Sequence, residues 1–298
     1  MNYILLMPNI HLYGIQYVQS DHLSFENLYR NPNPSIIVRI LRKTLYLTGA
    51  KLQGIFYGEW KNHLDDKDTQ FIVFDSCRPY KRLRNFIKNA ANIPIVYCWN
   101  SIDGNQRSIE KLKKDFRVFS YSQIDCEQYE LEFAPQFLPY SNPLLEMSSE
   151  YDGFFVGRDK GRLPVLEKLY QCFEHPFFYV LQDHKPSSSS ELQFQERLLE
   201  YTDYLSYMAK SEVIIEILPS PNADFTMRTI EAIFYQKKLI TDNKNIAKEP
   251  FYNENNILII DGNVDENAVK EFMQKPFVRY PTEITHQYTL EGWIENFK

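Results

Sequence analysis

The run 213–243, VIIEILPSPNADFTMRTIEAIFYQKKLITDN, puts a threonine, an arginine and a glutamate where a helix should begin. Its pattern predicts a buried strand, a loop, a helix over 226–235 and a second strand. With Thr226 as N-cap, Met227, Arg228 and Thr229 form the first turn. A helix start offers unpaired N–H groups and a partial positive charge to an anion. Arg228 adds a planar fork of donors suited to phosphate oxygens. Glu231, one turn further on, can accept from the two hydroxyls of a ribose. Arg228, Glu231 and Tyr235 share one helix face. The plainer alternative is a surface Arg228–Glu231 pair on an ordinary amphipathic helix, worth a few tenths of a kcal/mol.

A second cluster lies in 154–162, FFVGRDKGR, at the end of an expected strand. Gly157 and Gly161 bracket Arg158 and Lys160, and Arg162 follows. A glycine leaving a strand lets a ligand approach the backbone, and the cations would stabilise a diphosphate. The alternative is a solvated turn with Asp159 balancing part of the charge. The segment is neither a G-x-G-x-x-G nor a P-loop, which excludes a nicotinamide or ATP assignment by motif.

For proton transfer the best candidates are His11 and Asp21, in the loop 9–21 after the first expected strand. Their alternatives are a hydrogen-bonded loop histidine and a cap of the next segment. Asp75 and Asn100 close two further strands and could bind an acceptor. The D-x-D of Asp66, Lys67 and Asp68 sits in a charged run of the kind usually found in solvated loops. The remaining histidines are scattered, and no metal site is expected.

The elements that must position these groups alternate along the chain. Strands are expected at 3–7, 52–57, 70–74, 93–97 and 117–121, with helices at 35–47, 81–90 and 108–114. The pattern restarts after residue 150, with strands at 151–156, 177–181, 213–217, 239–241 and 257–260. Helices are expected there at 163–173, 195–210, 226–235, 264–273 and 288–297, and 185–190, KPSSSS, is a loop. Strand–helix alternation predicts α/β architecture: two Rossmann-like, doubly wound domains facing a cleft, with ligands at the carboxyl ends of the strands. The Pro- and Ser-containing segment 138–150 is the expected linker. It separates residues 1–145 from 146–280, and 281–298 forms a terminal helix.

Composition bounds the function. The chain has 298 residues with 44% hydrophobic and 24% charged, ordinary for a globular protein. A net charge of -6 argues against nucleic acid as a partner. No apolar run reaches the ~18 residues that span a bilayer. The opening MNYILLMPNI is expected to be a strand rather than a signal peptide. Cys77, Cys98, Cys126 and Cys172 are far apart and are read as reduced thiols of a cytoplasmic protein.

The segments FVGRDKGRLPVLEKLY, YTDYLSYMAKSEVIIEI and TMRTIEAIFYQKKLIT resemble the nucleotide-sugar half of GT-B glycosyltransferases, more narrowly those that build bacterial capsule and lipopolysaccharide. FIVFDS, IVYCWNSI and VFSYSQIDCEQYELEFAPQFLPY are similar to the acceptor-side domain of the same group. The resemblance implies transfer of a sugar from a nucleotide-sugar donor to a hydroxyl of a glycan or lipid-linked glycan. It implies no cofactor and no metal. Gly157, Arg158 and Lys160 would face the diphosphate, Thr226, Arg228 and Thr229 would lie at the phosphate-binding helix start, and Glu231 would take the ribose hydroxyls. It further implies that 281–298 packs back on the first domain. Two departures stand out: the loop PSPNADF lacks the glycine usual in related loops, and Asp224 lies near the expected phosphate. A sugar-nucleotide epimerase, a polyol-phosphate transferase and a non-catalytic GT-B-like partner subunit remain alternatives.

Two basic patches lie in the first half. Arg78, Lys81, Arg82, Arg84 and Lys88 surround Tyr80 and Phe86, and Arg39, Arg42 and Lys43 lie on the expected helix IIVRILRKTLYL. Such patches on an acidic chain predict either solvated faces or peripheral contact with an anionic membrane, here the inner face of the plasma membrane.

Overall fold

The structure, a computed structural model, describes residues 1–10, 15, 21–47, 51–75, 83, 86–88, 90–102, 106–139, 148–181, 192–218, 224 and 226–298. The chain divides into two compact units, Met1–Pro135 and Gln136–Lys298, earlier than the expected boundary at 145. Each unit is built on a six-stranded parallel sheet.

In the first unit the strands are β1 (Asn2–Met7), β2 (Leu23–Asn27), β3 (Thr69–Phe74), β4 (Ile95–Cys98), β5 (Arg117–Ser120) and β6 (Glu132–Phe133). They run in the order β2-β1-β3-β4-β5-β6. Strands β3 and β4, TQFIVF and IVYC, are buried at every position. Near-continuous apolar runs of this kind are what a parallel sheet covered on both faces requires. Trp60 is fully buried, and its indole N–H donates to the Leu28 carbonyl at 3.0 Å, so the largest core side chain leaves no unpaired polar atom.

In the second unit the strands are β7 (Tyr151–Arg158), β8 (Pro176–Leu181), β9 (Phe194–Gln195), β10 (Ser211–Glu216), β11 (Lys238–Thr241) and β12 (Ile257–Ile259). Their order is β12-β11-β10-β7-β8-β9. Counted from β7 this is 3-2-1-4-5-6, the dinucleotide-fold order, whose reversal point lies between the first and fourth strands. Successive residues alternate between two cores: Phe154, Ile214 and Leu239 pack on one face, and Phe155, Val213, Ile215 and Ile240 on the other.

Several expectations are corrected. Residues 51–56 form a 3-10 helix, not a strand. Tyr57 makes only an isolated antiparallel bridge to Tyr29, and the place beside β1 goes to β2. A short apolar run does not by itself distinguish the two conformations. The expected helix at 195–210 begins only at Tyr201, because Phe194 and Gln195 pair with Val180 and Leu181 as an edge strand. The terminal segment is broken rather than one helix: Thr282–His286, then Leu290–Ile294 with Thr289 as N-cap, then a 3-10 turn over Glu295–Phe297. Trp293 packs on Phe137 and Phe297 within the second unit. The helix Gln123–Tyr129, capped by Ser122, was also not foreseen. Much of the expected helix at 81–90, and all of the 140–147 part of the expected linker, lie outside the described residues.

Candidate functional site

The chemistry concentrates at the carboxyl ends of β7 and β10, on either side of the reversal point. Strand β7 ends in Val156, Gly157 and Arg158, and a tight turn follows. Lys160 has φ 48° and Gly161 φ 79°, so two consecutive residues in the left-handed region reverse the chain. The next helix, Leu163–Tyr170, opens with the Leu163 N–H donating to the Asp159 carboxylate at 3.0 Å. That bond commits Asp159 to the helix start.

Arg162, at the foot of this turn, is buried. Its guanidinium donates to the carbonyls of Ile217 and Arg158, and its Nε to the Asp159 carbonyl at 3.0 Å. Arg228 comes from the helix Met227–Phe234 and donates to the Val156 carbonyl. Its Nε is buried without a partner. The two guanidinium carbons lie 5.4 and 5.5 Å from the centre of the Phe155 ring, within cation–π range. A Cβ on residue 157 would come within 2.8 Å of an Arg228 guanidinium nitrogen, so the glycine makes room for the arginine. Asp242 accepts from the Leu218 N–H at 2.8 Å. Burial raises its carboxyl above the ordinary range, while that hydrogen bond and the Arg162 charge oppose the rise.

Beneath the arginines sits a carboxylate that the sequence reading did not single out. Glu216, the last residue of β10, is fully buried. One of its oxygens accepts from the Thr226 N–H at 2.9 Å and the Thr226 hydroxyl at 2.7 Å. The other accepts from the hydroxyls of Thr229 and Thr241, both at 2.9 Å. A negative group at a helix N-terminus is favourable, and here the chain supplies its own. Thr226 also caps the helix as expected, its hydroxyl accepting from the Arg228 N–H at 3.2 Å. The side chains of Thr226 and Thr229 therefore address Glu216. An acid inside an otherwise apolar strand, VIIEI, was the available signal, because such a group must find buried donors.

Glu231 is also buried, and it accepts from the Tyr204 hydroxyl. Burial, the dominant cause, raises its carboxyl to about 7; the Tyr204 bond and Arg228 oppose the rise, and Glu216 adds to it. Tyr204 lies on the helix Tyr201–Ala209, and its hydroxyl is itself pushed up by burial.

The structure thus brings Gly157, Arg228, Thr226, Thr229 and Glu231 to one end of one sheet. It leaves Arg158 and Lys160 exposed on the turn, buries Arg162, the third cation of that cluster, and adds Glu216 and Tyr204. Among described residues no group of three His, Cys, Asp or Glu side chains is arranged to hold a metal.

In the first unit, Asp75 follows β3 and Asn100 follows β4. The Asp75 carboxylate accepts from the Asn100 backbone N–H at 3.2 Å and its side-chain amide at 3.1 Å, so two expected acceptor groups meet. His11 lies outside the described residues. Asp21 is a correction: it precedes β2, next to His22, whose carbonyl accepts from the Tyr3 N–H at the start of β1. In a parallel sheet that is the amino-terminal edge, opposite to Asp75 and Asn100. Asp66 and Asp68 lie at the same edge, where the Asp68 carbonyl accepts from the Asn2 N–H. Asp66 pairs there with His63 at 3.1 Å.

No family model matches the chain. No curated protein matches it either. Among solved structures, a chain of the Glycosylation Associate Protein (Gap123) complex from Streptococcus agalactiae is similar, with a TM-score of 0.42 and 12% identity. The match covers 90% of this chain and 55% of that one. A likeness at that level carries no argument about function, which rests on the residues themselves.

Proposed function

We propose that the second unit binds the pyrophosphate of a nucleotide-sugar and that the chain is a GT-B-type glycosyltransferase. It would move a sugar to a hydroxyl of a glycan or lipid-linked glycan. The observation that carries the reading is the pair of guanidinium groups over Phe155 at the reversal point of a 3-2-1-4-5-6 sheet. Open parallel sheets take their ligands at that point.

Phosphate oxygens would take over Arg228 from the Val156 carbonyl, with Arg158 and Lys160 closing from the turn. Glu216 would act indirectly, fixing Thr226 and Thr229 and so the helix start that carries Arg228. Glu231 would exchange the Tyr204 hydroxyl for those of a ribose. His11 remains the candidate base for the acceptor hydroxyl, and Asp21 has no part.

A second reading has its own support. The helix start is already neutralised by Glu216, and both arginines already have carbonyl partners. That arrangement suits a GT-B-like subunit without a donor.

A thermal-shift series with nucleoside diphosphates and sugar nucleotides separates the two. Ligand at 100 times its dissociation constant stabilises the fold by about 2.7 kcal/mol. One nucleotide should give a clear shift. Arg228→Ala should weaken it by roughly ten- to a hundredfold, since a charge-assisted hydrogen bond is worth about 1.5–3 kcal/mol. No shift with any nucleotide would overturn the transferase reading in favour of the second.

A further inference from the structure

The helix Ile36–Leu47 is turned inside out. Its side against the body carries Val38, Arg42 and Leu45, all half-buried. Arg42 stacks its guanidinium 3.8 Å from the centre of the Tyr29 ring, and Tyr29 in turn stacks on the buried Tyr57 at 5.6 Å. That column of flat groups fixes the rotation of the helix. The opposite side presents Ile36, Ile37, Ile40 and Leu41, which are 71%, 73%, 59% and 49% exposed. At 100° per residue these four cover an arc of about 140°, with Thr44 in its middle. Arg39 and Lys43, one turn apart and exposed, line one edge of the arc.

We propose that this face seats on an anionic membrane surface, independently of the donor site. Charge complementarity selects the occupant. The outward side of the helix carries Arg39 and Lys43 and no acidic residue, in a chain whose net charge is -6. A contiguous apolar arc with cations along one border matches a helix lying in the lipid headgroup plane, the isoleucines entering the acyl boundary and the cations meeting phosphates. Among the described residues no helix is long and apolar enough to cross a membrane, so attachment through this helix would be peripheral.

The test is flotation of the whole chain with vesicles of phosphatidylcholine alone or with about a third phosphatidylglycerol, an anionic fraction of the order that charges a cytoplasmic leaflet. Binding should require the anionic lipid and weaken as salt rises. Reversing neither charge but removing both, in Arg39→Gln with Lys43→Gln, should lower partitioning by roughly thirtyfold, at about 1 kcal/mol per cation. Ile37→Glu with Ile40→Glu should lower it at least tenfold while leaving the thermal unfolding temperature unchanged, since neither side chain packs inward. Absence of vesicle binding, or equal binding to neutral vesicles, overturns the proposal. A concentration-dependent dimer abolished by the isoleucine substitutions also overturns it, giving the face to a second copy of the chain.

Discussion

The two sheets end in opposite chemistry at their carboxyl edges. In the first unit the polar groups there include Asp75, Asn100 and the buried Asp125, which accepts from the Ile102 N–H at 2.8 Å. In the second they include Arg162 and Arg228, with Glu216 and Glu231 nearby. One edge is equipped to accept from hydroxyls and the other to donate to an anion. The buried acids differ too. Asp125 sits on a helix, and its carboxylate reaches back to the loop after β4, whereas Glu216 sits on a strand and reaches forward to a helix. The lesson is that a shared parallel scaffold leaves ligand chemistry to the few residues at strand ends.

Removing each buried acid should have the greatest consequence for the two edges. Glu216→Ala removes the acceptor of the half-buried Thr226 N–H and hydroxyl and of the buried Thr229 and Thr241 hydroxyls. At about 1–3 kcal/mol per unsatisfied group, with partial relaxation, the loss should be about 4 kcal/mol or more in urea unfolding. Asp125→Ala strands the Ile102 N–H and the Ser120 hydroxyl and should lose about half as much. Equal losses would show that the second edge owes nothing special to its strand-borne carboxylate.

How much of this was legible beforehand depends on what determines each element. Central strands such as FIVF and VIIEI announce themselves, because burial on both faces demands unbroken apolar runs. The edge strands β2, β6 and β9 do not; LSFEN, EF and FQ are strands only because a neighbour offers a free edge. The site divides the same way. Arg228, Thr226 and Gly157 were readable as groups suited to a phosphate, but the contact between Gly157 and Arg228 joins residues from distant segments. Asp21 failed because the loop's far end lies at the other end of the sheet. Glu216 was missed because its partners lie on the following helix and strand, where no local pattern connects them.

Glu231 sharpens the contrast further, since it is the buried acid with a displaced titration. Its carboxyl stands at about 7 in the folded chain against an ordinary 4.5. The native state therefore holds the proton more tightly than the unfolded chain does. The stability this brings is full below about 4.5 and is lost as pH rises through about 7. The difference corresponds to about 3 kcal/mol. Glu231→Gln should remove that dependence, so wild type should lose about 3 kcal/mol relative to the variant between pH 4.5 and pH 8 in parallel urea titrations. Parallel curves for the two proteins would place the carboxylate in contact with water and remove it from the buried set.

The last substitution probes the close approach of β7 to the arginine helix at Gly157. Gly157 lies on a strand and has an ordinary backbone, so alanine there brings no conformational strain, only a methyl group 2.8 Å from the Arg228 guanidinium. Arg228 is the far end of a flexible side chain and can give way, which limits the stability loss to about 1 kcal/mol. Its bond to the Val156 carbonyl would have to loosen as it moves. If that bond merely parks the arginine until a phosphate arrives, Gly157→Ala should change nucleotide binding more than it changes the unfolding midpoint. If the bond is part of the core, the order reverses, and the arginine edge is packing in the same sense as the acid edge of the first sheet.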